Sequence, residues 1–489
     1  MKLMPILFKD GYKTDHRRQY PEGTEFVYSN LTPRSTRDPR YKAVVVFGIQ
    51  AFVKDFLIER FHRDFFDQPK DEVIAAYKRR MDNYLGPDSI PTDHIAALHD
   101  LKYLPLLVKS LPEGTLCPIG VPYLTITNTI PEFFWLTNCL ETLMSCEIWK
   151  AITNATIAFE YRKVLQAAAM ATNPGMSGFV PWQGHDFSFR GMDGVESAAR
   201  SGAAHLLSFT GSDTIPAIDY LEHFYGADSD KECVAGSVPA TEHSVMSMGG
   251  EDSEIQTFNR LITKIYPRGI VSIVSDTWDY WDTITNKATA LKSVIMGRDG
   301  KVVFRPDSGD PVKIICGDQT APIWSPQYHG SIRVLWDIFG GTVTSKGYKQ
   351  LDPHVGLIYG DSITIERCEE ILAGLEARGF ASTNVVLGVG SYTYQYNTRD
   401  TFGMAMKATH GQINGIPKDI FKSPKTDSGS KLSAKGWLRV NDNLTLSQQV
   451  TREQEATGLL QPIFQDGKLM RDEKLCDIRK RLLSTINAM

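Results

Sequence analysis

Arg305 and Asp307 leave the apolar run of Lys301-Val-Val-Phe-Arg-Pro-Asp-Ser-Gly309 two residues apart. An arginine offers a rigid fork of donors to an anion or carbonyl, and a carboxylate beside it can hold sugar hydroxyls or a magnesium ion. The two can equally pair with each other and fix a tight turn. Three further apolar runs stop on polar clusters: Gly269-Ile-Val-Ser-Ile-Val-Ser-Asp276, Val355-Gly-Leu-Ile-Tyr-Gly-Asp361 and Asn384-Val-Val-Leu-Gly-Val-Gly-Ser391. In Gly360-Asp361 a glycine permits close backbone approach beside a carboxylate suited to a ribose diol. Gly388-Val-Gly-Ser391 ends in exposed amides of the kind that cradle phosphate, although a lone Gly-x-Gly also serves as a plain strand-ending turn. His243, in Pro239-Ala-Thr-Glu-His-Ser244, has Glu242 beside it and Ser237 upstream. Such an imidazole can act as a nucleophile or proton relay, or be structural. The four tips together describe a site for a phosphorylated sugar.

The elements that must carry these residues follow from the runs themselves. Each run is short, β-branched and almost unbroken in hydrophobicity, which suits a parallel strand buried on both faces. The polar clusters then sit at carboxyl ends of strands, the end where β/α barrels do their chemistry. Between the runs lie helical patterns. Residues 364–378 put Ile365, Cys368, Ile371, Leu372 and Leu375 on one face, with Gly379 placed as a C-terminal cap, and residues 257–266 do the same with Phe258, Leu261, Ile262 and Ile265 before Pro267. The alternation extends upstream through a strand at 185–190, a small-residue helix at 193–204, a strand at 205–213, an apolar helix ending near Gly226, and a strand-like segment at 234–244. Repeated strand and helix over about 210 residues favours an α/β fold with a closed, barrel-like core of parallel strands. An open doubly wound sheet would want a glycine-rich dinucleotide loop, and Gly388-Val-Gly-Ser-Tyr-Thr lacks the third glycine.

The flanks read differently. The first 140 or so residues combine short strands such as 25–29 with helices at 47–64 and 70–84, and the tail from about 408 is rich in Gly, Lys and Ser before a charged helix near 471–485. The expected division is an N-terminal α+β domain (1–140), a barrel core (141–400) and a C-terminal segment (401–489), with the two chain ends packed together at the barrel rim. Lys418, Lys422, Lys425, Lys431, Lys435 and Arg439 form either a solvated loop or a basic flap that neutralises a diphosphate.

Composition narrows the classes. The 489 residues, 42% hydrophobic and 22% charged, suit a globular protein with a large core, and 53 basic against 57 acidic residues leave a net charge of -4 that points to neither nucleic acid nor an anionic membrane. The seven cysteines form no Cys-x-x-Cys pair and read as reduced thiols, and the N-terminal apolar stretch is too short for a signal peptide, so a cytoplasmic location is expected. No His/Cys cluster has zinc spacing and no P-loop is present.

Taken in order, Asp10-Gly-Tyr-Lys13 with His16 and Gln19-Tyr-Pro21, His185-Asp-Phe-Ser-Phe-Arg-Gly191, Phe209-Thr-Gly-Ser-Asp-Thr214, Ser237-Val-Pro-Ala-Thr-Glu-His-Ser244, Val274-Ser-Asp276, Arg305-Pro-Asp-Ser-Gly-Asp310, Gly360-Asp361 and Thr398-Arg-Asp400 resemble the nicotinamide phosphoribosyltransferase family over nearly the whole chain. The resemblance implies condensation of nicotinamide with phosphoribosyl pyrophosphate, with magnesium and an ATP-driven boost. It places the nicotinamide ring between Phe187 and Tyr12 of the partner subunit in a homodimer. It makes Asp213 the acceptor for the carboxamide nitrogen and brings Arg305 to the carboxamide oxygen or the phosphate. Ser237, Ser272 and Asp276 join the substrate contacts; Asp307, Gly360 and Asp361 hold ribose and metal, with Mg on Asp307 and Asp361. Gly390, Ser391 and Arg190 meet the 5′-phosphate or diphosphate, and Arg34, Arg399, Lys407, Lys422 and Lys431 clamp the diphosphate. His243 becomes the phosphorylated histidine.

The chain departs from the family's glycine run at Val389, Ser391 and Tyr392, which implies a narrower phosphate cradle, and its lysine loop carries about one extra residue near Lys431. Three other readings remain open. A nicotinate phosphoribosyltransferase would share the barrel, but Asp213 repels an acid substrate. A non-catalytic dimeric ligand-binding protein would be expected to lose His243, Arg305 or Asp307. An aldolase or isomerase barrel would carry a Lys or Glu base at a strand tip.

Overall fold

The computed structural model describes residues 3–360, 362–422 and 434–486. Asp361 and Lys431, both expected in the site, lie outside the described residues. The chain forms two compact units: Met1–Thr156 with Leu221–Ala227 and Asn397–Met489, and Ile157–Tyr220 with Asp228–Tyr396.

In the second unit the four apolar runs are parallel strands, Arg268–Val274, Asp299–Arg305, Val355–Tyr359 and Val385–Val389, joined at one edge by Gly184–Asp186. Their register is continuous, from Val271 opposite Val302 through Leu357 opposite Phe304 to Leu387 opposite Gly184. Burial on both faces explains the unbroken hydrophobicity: every residue of Val355–Tyr359 is buried. The row is continued by parallel bridges, Asp186 to Ser212, Gly211 to Gly236 and Ala240 to Ser272, which lead back to the Arg268–Val274 strand. Through these bridges the sheet closes on itself, giving a β/α-barrel-like core. The helix Ile365–Ala377 buries the five residues that its period selects, and the Thr364 side chain accepts from the Arg367 amide at its start. Caps of this kind contribute about 1 kcal/mol.

Two segments differ from expectation. Residues 205–213 form no strand: His205 ends the buried helix Val195–His205 and the chain turns before Gly211 and Ser212 pair. Burial explains the misreading, because a short apolar run ending a buried helix has no periodicity that separates it from a strand. Residues 234–244 likewise pair at isolated points. Pro239 has no amide to donate, although its carbonyl accepts from the Ser272 amide at 2.9 Å. Ile265, expected on the buried face, is half exposed.

The first unit is the additional α+β domain, formed by the chain ends. Thr24–Pro33 lies between Met404–Ile413 and Leu124–Asn128 in an antiparallel sheet continued by Leu106–Ser110 and Gln461–Gln465. Leu31, Leu106, Val108, Leu124 and Ile126 face one core with the buried residues of the helical segments 49–66 and 70–85. The alternating burial along Leu106–Ser110 is the mark of a sheet with one face in that core.

Candidate active site

A pocket of about 420 Å³ runs through the barrel of the second unit. At one end are Phe187, Asp213 and Arg305, at carboxyl ends of strands and bridge segments; at the other are Ile270, Lys301 and Val385, near the strand beginnings. Phe187 and His185 alternate along one strand and its exit, so both rings face inward, 4.5 Å apart between centroids. Asp213 Oδ1 accepts from Ser237 Oγ at 2.7 Å and lies 2.8 Å from His185 Nε2. Burial works to raise the Asp213 carboxyl, but the hydrogen bonds of His185 and Ser237 and the charge of Arg305 outweigh it and hold the group below the usual carboxylate range. An ionised acceptor thus stands on a mainly apolar wall. Ser272, on the neighbouring strand, is buried, lines the same pocket, and has no hydrogen-bond partner for its Oγ among the described residues.

Asp276 organises the next group of tips. Its Oδ2 accepts from the Asp307 amide at 3.0 Å and from Ser308 Oγ at 2.6 Å, while Oδ1 lies 3.3 Å from His243 Nε2. The Asp276 side chain is 4% exposed and that of His243 51%, so an accessible imidazole stands beside a buried carboxylate oxygen that has no hydrogen-bond partner among the described residues. Arg305 donates to the Thr241 carbonyl, two residues before His243, and its Nε is 3.7 Å from Asp307 Oδ2. That separation is beyond a hydrogen bond and leaves the Arg305 and Asp307 pair loose.

Glycines set the approach of the remaining tips. A Cβ on Gly360 would lie 2.0 Å from Asp307 Oδ1, and one on Gly388 would lie 2.7 Å from Phe187 Cδ2 and 2.8 Å from the Gly360 carbonyl oxygen. Neither position tolerates a side chain without displacing a candidate ligand contact. Gly390 leads into the short helix Ser391–Tyr394, and Ser391 Oγ sits 2.1 Å from where a Gly191 Cβ would be. The exposed Arg190 is therefore carried on a turn that abuts Ser391.

In the first unit Tyr12 is 65% exposed, tilted against His16 at 5.4 Å and adjacent to Lys13, whose Nζ pairs with Glu141 at 2.6 Å. Tyr12, Lys13, Glu141 and Arg399 line a recess of about 220 Å³. Burial first, and then the charges of Arg34, Lys422 and Arg399, push the Lys407 ammonium below its ordinary value against the pull of Glu141. Arg34, whose Nε donates to the Gly403 carbonyl at 3.1 Å, is thus part of one cationic cluster with Lys407, Lys422 and Arg399. The sequence reading did not single out His185, Thr241, Ser308 or Glu141. For His185 a signal was present, because its spacing of two from Phe187 places both on one face of a strand.

The family model described as "Nicotinate phosphoribosyltransferase (NAPRTase) family" matches residues 182–467, and "Nicotinamide phosphoribosyltransferase, N-terminal domain" matches residues 5–81. The chain belongs to the nicotinate phosphoribosyltransferase family, a class of pentosyltransferase enzymes. It is 53% identical over 501 residues to the nicotinamide phosphoribosyltransferase of Acinetobacter baylyi, covering 100% of this chain and 98% of that protein. Identity to the proteins of the same name is 36% for Mycoplasma pneumoniae (87% of this chain, 93% of the relative) and 30% for Xanthomonas campestris pv. campestris (97% of each). Among solved structures, human nicotinic acid phosphoribosyltransferase matches at TM-score 0.57 and 17% identity, over 99% of this chain and 94% of that one. The nicotinate-nucleotide pyrophosphorylase of Pyrococcus furiosus matches at TM-score 0.58 and 15% identity, over 98% and 94%. At those identities the structures speak for the fold.

Proposed function

We propose that this chain transfers the phosphoribosyl group of phosphoribosyl pyrophosphate to the ring nitrogen of nicotinamide, forming nicotinamide mononucleotide and pyrophosphate for NAD biosynthesis. The observation that carries the substrate choice is Asp213, held ionised beside Phe187. A carboxylate accepts from the amide nitrogen of nicotinamide and repels the carboxylate of nicotinic acid. The nicotinate reading, which the family description also admits, is disfavoured on that ground.

As the ring nitrogen forms its bond to the sugar C1′, the bond from C1′ to the diphosphate oxygen breaks and an oxocarbenium-like sugar develops. Departing negative charge needs cations rather than a strong base. Arg34, Lys407, Lys422 and Arg399 supply them, with Lys431 as a further candidate outside the described residues. Phe187 stacks on one face of the electron-poor ring and Tyr12 of the partner subunit on the other. Arg305 meets the carboxamide oxygen or the phosphate, Ser237 and Ser272 complete the pocket, and Gly390, Ser391 and Arg190 receive the 5′-phosphate. The tip of Asp307 fits a magnesium ion, because the missing side chain of Gly360 gives its Oδ1 room and hard carboxylate oxygens suit a cation that keeps most of its waters. Asp307, together with Asp361, would hold that ion, which supplies neutralisation of diphosphate charge when bound.

His243, 3.3 Å from Asp276 through its Nε2, takes the terminal phosphoryl group of ATP as the bond to ADP breaks, and later yields it to water as inorganic phosphate, coupling hydrolysis to synthesis. The enzyme acts as a homodimer in the cytoplasm. Among the described residues no helix is long and apolar enough to cross a membrane. The deciding experiment supplies purified protein with phosphoribosyl pyrophosphate, magnesium and either nicotinamide or nicotinic acid. Nicotinamide mononucleotide is the expected product; preferential formation of nicotinic acid mononucleotide would overturn the reading.

A further inference from the structure

We propose that His185 is a positioning residue that turns Asp213 toward the substrate and thereby sets the choice between amide and acid. The inference rests on the reading of this pocket as the nicotinamide site.

The geometry starts from one oxygen. Asp213 Oδ1 is taken by His185 at 2.8 Å and by Ser237 at 2.7 Å. With both donors on Oδ1, the other oxygen is left as the one a carboxamide N–H can reach. A carboxylate fixed on one side cannot rotate to share its charge, so its free lone pairs point one way. The ring that fixes it is itself clamped. His185 is buried, its plane tilts 35° against Phe187, and a Cβ on Gly211 would lie 2.8 Å from His185 Nδ1. Gly211 is thus the residue whose lack of a side chain makes room for this imidazole.

The charge consequence follows. With two donors on Oδ1, the Asp213 carboxylate turns its free lone pairs toward the ring, where they accept from an amide nitrogen and repel a carboxylate. A carboxylate left to rotate would divide that charge between the wall and the ring and discriminate less.

The test is the ratio of kcat/KM for nicotinamide to that for nicotinic acid. Effects on phosphoribosyl pyrophosphate, magnesium and the diphosphate clamp cancel in that ratio. His185→Leu, which cannot donate, is expected to lower the ratio about tenfold and to raise KM for nicotinamide more than it changes kcat. His185→Gln keeps a donor to Asp213 and should restore most of the ratio. A His185→Leu ratio equal to that of the wild type, or a His185→Gln ratio as low as that of His185→Leu, overturns the inference. Should either variant not fold, Ser237→Ala removes the other donor to Oδ1 and must lower the same ratio, an unchanged value overturning the inference. Dissociation constants for the two rings give the same ratio if acid turnover is too slow to measure. Failure of the wild type to use nicotinamide at all instead sinks the pocket reading, and the two failures are distinct.

Discussion

Beside Phe187 one carboxylate is kept ionised by neighbours that donate to it, whereas around Lys407 four cations, Arg34, Lys407, Lys422 and Arg399, crowd one another with Glu141 among them. The first region lines a mainly apolar pocket and spends its polar atoms on a single oxygen; the second is partly open and repeats the same charge. A lone, preorganised group in a dry site carries specificity that nothing nearby can replace, while a set of like charges neutralises a highly charged leaving group collectively. Substitutions in the two regions should therefore differ in kind.

The sharpest break of this comparison tests whether the regions meet across a dimer. Phe187→Ala and Tyr12→Ala chains should each be nearly inactive. Mixed dimers, isolated with two tags, should recover up to about half of wild-type activity, because an isologous pair then contains one intact and one doubly damaged site. Mixed dimers no better than their parents would remove the shared site. Next in size, His243→Ala should lose ATP hydrolysis and the whole ATP-dependent gain while retaining basal synthesis; acid-labile labelling of the wild type from γ-labelled ATP is the direct measurement. Asp213→Ser should weaken nicotinamide use by roughly 1.5–3 kcal/mol and relax rejection of nicotinic acid. Unchanged selectivity in a folded variant would take Asp213 out of the ring pocket.

On the cationic side a single change should be milder. Lys422→Ala is expected to raise KM for phosphoribosyl pyrophosphate by a few fold, about 1 kcal/mol, and to reduce its dependence on salt, since neighbouring cations remain. A loss as large as that of Asp213→Ser would contradict the collective account. A separate effect concerns stability away from both sites. Burial, and then the nearby Glu473, push Glu113 up to about 7, against hydrogen bonds from the Gln50 and Gly48 amides. The folded state then holds a proton that the unfolded chain has released above its ordinary value of 4.5. That contribution is full below the unfolded value and is lost as pH rises through the folded one. Melting temperatures of the wild type should carry this decline between about pH 4.5 and about pH 7, and Glu113→Gln should flatten it.

Parallel strands at 268–274, 299–305, 355–359 and 385–389 were legible because burial on both faces writes itself as an uninterrupted β-branched run. The helix Ile365–Ala377 was legible from its period and from Gly379, which adopts φ +74° as a terminating glycine does. The bridge segments around Gly211, Gly236 and Ala240 fall inside the stretches expected as strands, but their extent was not legible, since they pair at one or two residues each and take their conformation from the strands beside them. Local pattern does not fix the length of a segment whose pairing is imposed by neighbours.

Chemistry divides along the same line. Sequence by itself determined which residue types stand at the strand tips, Asp276, Arg305, Asp307 and Gly360, because each follows its own apolar run. Only the tertiary structure decided which of them act together. Asp213 meets His185 across 28 positions, His243 meets Asp276 across a sheet bridge, and Arg305 reaches the Thr241 carbonyl 64 residues away. Those pairings depend on the relative register of parallel strands, which is fixed by long-range packing and backbone hydrogen bonding rather than by any window of the chain.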